Sequence, residues 1–445
     1  MLLIGNGRLI TWNDKASYIE DGCVAVDGNT IAGFGTTAEM KAQYPDAEFY
    51  DAAHRVIMPG LINAHTHIYS SFARGLSLPQ AQPNRDFMEV LENQWWRIDK
   101  VLNREDNLYS AYSTGLESVR YGVTTIFDHQ ASQYHVPGSL FAIDEALSAI
   151  GLRASLCYEV SDRDGTDIAQ KAIEENIAYI DYAAGDDSGM RKGMLGLHAS
   201  FTLSPETLAA CVDAMGSRGA GYHVHVAEGI GDLYDSLAKY GKRVVERLHD
   251  AGVLGEKTLA IHNIHVNAGE MDILKATNTM AVHNPESNMG NAVGCAAALQ
   301  MLDKGILLGL GTDAYTQDMF ESLKVANLIH KHHLCNPSVG FMESIAMLFQ
   351  NNRDICARFI PQPLGIVEKG AAADLIVVDY TPHTPLNENT IAGHVMFGIM
   401  GRCVDSTMIN GRFVMKERKM QTVDEAAVLA SARQQSADFW KRVTA

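Results

Sequence analysis

His65-Thr66-His67 is the sharpest chemical feature of this chain. Residues two apart on an extended strand face the same side, so both imidazoles can reach one cation. On its own such a pair is a weak sign of metal, and it needs ligands from elsewhere. His223-Val224-His225-Val226-Ala227-Glu228 offers them. His225 lies nearer the strand's end and is the better ligand, while His223 reads as a packing residue. Glu228, just beyond, can pass a proton to a reacting atom; its bland alternative is a solvated loop carboxylate. Gly309-Leu310-Gly311-Thr312-Asp313 adds a carboxylate after an apolar run, where a helix N-cap is the competing reading. His262 ends another apolar run, where a neutral imidazole could hold an activated water or a polarised substrate. Three imidazoles and a carboxylate suit zinc or iron.

These residues need a scaffold that brings distant segments together. The middle of the chain alternates short apolar runs with helix-like stretches, without the alternation of half-exposed strands. The runs are Leu61–His65, Thr124–Asp128, Arg153–Glu159, Gly193–His198, Gly221–Val226, Thr258–His262, Thr279–His283 and Ile306–Gly311. Helices are expected over Asn103–Arg120, Thr166–Ala184, Ser204–Met215 and Leu233–Asp250. Eight strands with connecting segments predict an α/β fold, a parallel (β/α)8 TIM barrel, whose active site forms at the C-terminal strand ends. The runs end in or just before a metal-competent or acid/base side chain. These are His65 and His67, Asp128 with His129, Glu159, His198, His225 with Glu228, His262, His283 and Asp313. A scatter of core histidines would not fall at corresponding strand ends.

Both chain ends are β-rich. Asp27-Gly28-Asn29 and Asn410-Gly411 each separate two extended runs, as hairpin turns do. The expected division is a small β-sandwich from residues 1–58 plus 365–420, a barrel over 59–364, and a closing helix over 421–445. Weaker candidates have bland readings. His249, His265, His330, His332 and His333 read as surface or capping residues, Asp128 equally as a loop tie or a substrate contact, and His283 as structural within a turn-forming loop. Trp95 and Trp96 belong either to the core or to a segment covering the site.

The composition sets outer limits. The 445 residues are 47% hydrophobic and 20% charged, as in a globular chain, and 53 acidic against 36 basic residues give a formal charge of −17. Such acidity disfavours a nucleic-acid or anionic-membrane partner. No window approaches the ~20 apolar residues of a membrane span, and no basic, apolar leader opens the sequence. A cytoplasmic location follows as an expectation. Seven scattered cysteines without a CxxC pair fit buried thiols in a reducing compartment.

Taken together, Pro59-Gly60-Leu61-Ile62-Asn63-Ala64-His65-Thr66-His67, His225 with Glu228, His262, His283-Asn284-Pro285-x-Ser287-Asn288 and Gly311-Thr312-Asp313 resemble the amidohydrolase superfamily, in its cytosine/guanine deaminase and chlorohydrolase branch. Gly370-Ala371-Ala372-Ala373-Asp374-Leu375-Ile376-Val377-Val378-Asp379 resembles the strand returning that family's chain to its β-sandwich. Within the branch, Gln94-Trp95-Trp96-Arg97-Ile98-Asp99 and Ile126-Phe127-Asp128-His129 look most like the SsnA aminohydrolases.

The resemblance implies one divalent metal per chain, zinc before iron, held by His65, His67, His225 and Asp313. His198 stands where relatives with two metals carry a bridging lysine. It also implies that the cation lowers the pKa of a bound water, that Asp313 takes its proton, and that hydroxide attacks an amino-bearing ring carbon. Glu228 then protonates the ring nitrogen, and His262 steadies the developing charge. His198 and Asp99 are the implied substrate contacts. The expected activity is deamination of an amino-substituted N-heterocycle of purine, pterin or pyrimidine type. Loss of chloride or alkylamine from a similar ring, or a catalytically silent barrel, are the alternatives. Homo-oligomerisation follows by analogy alone.

Overall fold

The computed structural model describes residues 1–79 and 82–445. The apolar runs form eight parallel strands: Leu61–Thr66, Val123–Gln130, Arg153–Val160, Leu195–Ala199, Tyr222–Val226, Leu259–His262, Met280–His283 and Leu308–Leu310. Every residue in them is buried, because helices cover the outside and side chains fill the inside. They are hydrogen-bonded in sequence order. The ring closes where Thr66 bridges Asp313 in parallel. There the Thr312 and Asp313 amides both donate to the His65 carbonyl at 3.0 Å. Gly311 makes the approach feasible, since a Cβ would lie 2.9 Å from the His65 nitrogen and 2.5 Å from Asn284 Oδ1.

The helices follow their sequence signals closely. Asn103 caps Arg104–Arg120, Ser204 caps Pro205–Met215, and Thr166–Ala184 is continuous. The stretch expected as one helix over Leu233–Asp250 is two, Ile230–Tyr240 and Val244–Asp250. Gly241, at φ 64°, ends the first in a left-handed turn. His330 is also not at the surface: it is 2% exposed, and its ring centroid lies 5.0 Å from that of the equally buried His283. All seven cysteines are free, but only Cys23, Cys157, Cys211 and Cys356 are buried, and Cys335 is exposed at a helix end.

Among the described residues, a second sheet of nine strands combines both chain ends. Val56–Pro59 pairs antiparallel with Leu375–Val378 and leads through Gly60 into the first barrel strand. The hairpin from Val404–Ile409 to Arg412–Lys416 turns on Asn410 and Gly411, both at positive φ as a two-residue turn of this hand requires. The C-terminal helix Glu425–Thr444 lies along Arg104–Arg120. Its Phe439 and Val443 pack with Tyr69, Phe72, Ile98 and Leu102, and Trp440 Nε1 donates to the Phe72 carbonyl at 2.7 Å. The helix thereby fixes the long segment after the first strand, which covers the barrel mouth. No helix among the described residues is long and apolar enough to cross a membrane.

One buried ion pair joins the two sheets. Arg153, at the start of the third barrel strand, meets Asp374, whose Oδ1 also accepts from the Asn410 amide at 2.7 Å. Both side chains are 2% exposed or less. Removing one partner leaves an uncompensated buried charge, which typically costs about 3–5 kcal/mol. Asp374→Asn is therefore expected to lower unfolding stability by about that amount. Chemical denaturation should show a lower midpoint with an unchanged slope.

Candidate active site

The strand ends bring the sequence candidates together in one buried group. Donor atoms of His65, His67 and Asp313, of His65, His225 and His262, and of Glu228, His262 and Asp313 each lie within 4.8 Å of one another. His67 Nε2 is 3.2 Å from Asp313 Oδ1, and His65 Nε2 is 3.9 Å from the same oxygen. His225 Nε2 faces His67 Nε2 at 3.3 Å. On the other side, His262 Nε2 lies 3.4 Å from Glu228 Oε2 and 3.6 Å from Asp313 Oδ2.

The far side of each ring fixes what the near side can do. Nδ1 of His67 faces the His129 carbonyl at 2.6 Å, and Nδ1 of His225 faces the His198 carbonyl at 2.8 Å. A carbonyl only accepts, so each Nδ1 carries a proton, and a ring with that single proton presents a bare Nε2. Two bare nitrogens 3.3 Å apart repel unless a cation lies between them. His65 Nδ1 is 2.8 Å from His223 Nε2, and His65 Nε2 is buried with no partner. His223 thus orients a candidate ligand rather than merely packing. These donors fit a divalent metal held by His65, His67, His225 and Asp313.

Electrostatics support the same form. Burial, reinforced by neighbouring imidazoles, holds His65 and His225 well below the ordinary imidazole range, so both stay neutral and able to ligate. Burial and then the nearby Asp313 push Glu228 well above the usual carboxylate range, which favours its protonated form. Ser287 Oγ donates to Asp313 Oδ2 at 2.6 Å. Nδ1 of His262 is 2.8 Å from Asn288 Oδ1. His129 stands beside the group, but its Nε2 is 3.2 Å from both the Leu197 and His223 carbonyls. Ala227, His262 and Asp313 all have positive φ, 46°, 69° and 55°. Strain of this kind, on the order of 1–3 kcal/mol per residue, persists only where surrounding bonds impose it.

A cavity opens onto the group. His67, His225, Glu228, Ser287 and Asp313 line its floor, while Tyr69, Trp95, Trp96, Asp99, Glu159, Arg163 and His198 form part of its wall. The two tryptophans therefore face the cavity. Trp95 lies in a π-helical turn, Leu91–Trp95, a local distortion common at functional sites. An apolar groove lined by Phe87, Met88, Leu91, Phe201, Ile230 and Tyr234 continues from it.

His198 reaches the wall with its Nδ1 tied to Thr202 Oγ1 at 2.7 Å. Asp99 is 1% exposed and bound to Arg163, so it shares its place with a cation. Glu159 contacts the same guanidinium at 2.8 Å. Burial pushes Asp99 up to about 6 and Glu159 up to about 8, with Arg163 opposing both shifts. Asp128 accepts from the Ile68 amide at 2.7 Å and ties loops together. Arg163 escaped the sequence reading because it lies four residues beyond the strand-end position, within a polar Ser-Asp-Arg-Asp run that resembles any loop.

The amidohydrolase family model matches residues 56–414, and a bacterial imidazolonepropionase-like composite domain matches residues 22–47. The 5'-deoxyadenosine deaminase of Methanosarcina mazei is 30% identical over 451 residues, covering 99% of each chain. The 5-methylthioadenosine/S-adenosylhomocysteine deaminase of Pelotomaculum thermopropionicum is 30% identical over 441 residues, covering 98% of each. Among solved structures, a zinc-bound adenosine deaminase from Xanthomonas campestris superposes with a TM-score of 0.86 at 22% identity, covering 98% of both chains. The guanine deaminase of E. coli gives 0.80 at 19% identity, covering 94% of this chain and all of the other. Histidine and carboxylate donors at successive strand ends and this full-length similarity lead to one conclusion: the chain is a hydrolase of the amidohydrolase family.

Proposed function

We propose that this protein is a zinc-dependent aminohydrolase that deaminates an amino-substituted purine nucleoside, with one metal per chain held by His65, His67, His225 and Asp313. The observation that carries the reading is the placement of His262 Nε2, 3.4 Å from Glu228 Oε2 and 3.6 Å from Asp313 Oδ2, beneath the cavity that both carboxyl groups line. The full-length similarity to 5'-deoxyadenosine and 5-methylthioadenosine/S-adenosylhomocysteine deaminases supports the substrate class. Iron would satisfy the same donor set.

When bound, the metal supplies Lewis acidity that makes a water nucleophilic near neutral pH. Asp313 accepts a proton from the attacking water, with Ser287 holding its second oxygen in place. The water oxygen forms a bond to the amino-bearing ring carbon, and Glu228 gives its proton to the adjacent ring nitrogen. His262 Nε2, between the two carboxyl groups, steadies the hydrogen of the attacking water. The carbon–nitrogen bond then breaks, the proton held by Asp313 leaves with the amine as ammonia, and the remaining proton of the new hydroxyl passes to Glu228, which leaves a ring carbonyl and restores the acid. His198 and Trp96 border the ring's position and exclude water.

Ammonia release from 5'-deoxyadenosine, methylthioadenosine, adenosine and guanine tests the proposal, with chloride release from a chlorotriazine as the contrasting readout. Ammonia from the adenosine series is expected; chloride release alone would replace deamination with dehalogenation. Glu228→Gln is expected to keep its zinc and lose at least ~10²-fold in kcat, the usual scale of acid/base contributions. Asp313→Asn is expected to lose both activity and metal retention.

Acid removes a metal by protonating its imidazole ligands. His65 and His225 are held below the ordinary value, so protonation begins at a lower pH than for exposed histidines. Zinc content measured across an acid titration is expected to remain unchanged at pH ~6, below the ordinary imidazole value of about 6.5. A chelator at neutral pH should remove activity, and added zinc should restore it.

A further inference from the structure

The turn that follows the seventh barrel strand carries a polar side chain that no step above employs. Pro285–Gly290 is one short helix, and Asn291 closes it at φ −80°, a conformation open to any residue. The Asn291 amide donates to the Ser287 carbonyl at 2.8 Å, so these two residues, four apart, lie on one face of the turn. Gly290 lets the turn pack against the loop after the last strand. A Cβ there would lie 1.6 Å from Tyr315 Oη, and Tyr315 stands two residues beyond Asp313. Asn291 thus reaches the cavity with its place set by its own turn and by the Asp313 loop.

Hydrogen-bond direction orients its side chain. Asn291 faces Ser287 Oγ at 3.2 Å and Glu228 Oε1 at 3.4 Å. Ser287 has one hydroxyl hydrogen, and it goes to Asp313 Oδ2, which as a metal-binding carboxylate has none to give. Ser287 Oγ can then only accept from Asn291, which puts Nδ2 rather than Oδ1 on this side. The second Nδ2 hydrogen remains for Glu228 Oε1. The carbonyl oxygen of a carboxylic acid is its better acceptor, so the acid hydrogen of Glu228 belongs on Oε2, 3.4 Å from His262 Nε2. The contact to Oε1 is long, as catalytic hydrogen bonds often are before substrate binds.

We propose that Asn291 is a positioning residue for proton transfer: its amide directs the Glu228 hydrogen to Oε2 and, through Ser287, holds the Asp313 carboxylate, so that acid and base keep one relative geometry. The proposal rests on the acid and base roles given above to Glu228 and Asp313.

Infrared spectra of the zinc-loaded protein test the contact without any substrate. The carbonyl band of protonated Glu228 is identified by its loss in Glu228→Gln. Asn291→Leu is expected to move that band to higher frequency, because the oxygen loses its donor. With the adenosine series, Asn291→Leu should keep its zinc and its KM and lower kcat about 10-fold, the scale of one hydrogen bond. Asn291→Asp keeps the shape but offers no donor, and should lose at least as much rate; a residue needed only for packing would tolerate it. An absent or unmoved Glu228 band, parent-like kcat in either variant, or loss of zinc along with the rate would each overturn the proposal. Ammonia release by the parent protein is read separately: if the band moves and the adenosine series gives no ammonia, the positioning stands and the deaminase reading falls.

Discussion

His65 accepts two backbone hydrogen bonds at its carbonyl, from Thr312 and Asp313, while its side chain points to the Asp313 carboxylate. That seam joins the first barrel strand to the last, nearly 250 residues apart in sequence. A barrel that failed to close there would separate His65 and His67 from their carboxylate. Closure also explains the glycine at position 311, where any side chain would strike the His65 backbone. The site and the fold thus share one joint, and the positive φ of Asp313 is set by the same bonds that complete the ring.

Around the seam, the protein decides protonation before any ligand arrives. Backbone carbonyls of His129 and His198 take the Nδ1 protons of His67 and His225. Orientation therefore comes from strand register, because the carbonyls belong to the ends of neighbouring strands. Side-chain partners do the same where no carbonyl is available, His223 for His65 and Asn288 for His262. Preorganised groups of this kind need little rearrangement during reaction, which is where buried electrostatics have most effect.

The strands and the inner residues were legible because local rules govern them. Runs such as Met280–His283 are apolar for reasons visible in the residues themselves, and an ending in histidine is visible too. The metal-competent group could be read from strand ends because a barrel maps sequence position onto spatial height. Other features depend on partners far away. His330 looked like part of an exposed histidine cluster, yet helix packing turns it inward to His283, while His332 and His333 remain exposed. The break at Gly241 lay within an otherwise helical pattern, where one glycine is often tolerated. Trp95 and Trp96 could face either way until the C-terminal helix fixed their segment.

The wall of the cavity shows why substrate choice is harder to read than chemistry. Asp99 comes from the covering segment, Glu159 from the third strand and Arg163 from the loop that follows. No spacing links the first to the other two, and the character of each depends on the others. A lone Asp99 would attract a cation and a lone Arg163 an anion, but paired with each other neither can be read by its residue type alone. Catalytic groups can be recognised singly by residue type and strand position. A buried charged cluster cannot be recognised that way, because its character is set by geometry between elements and by burial.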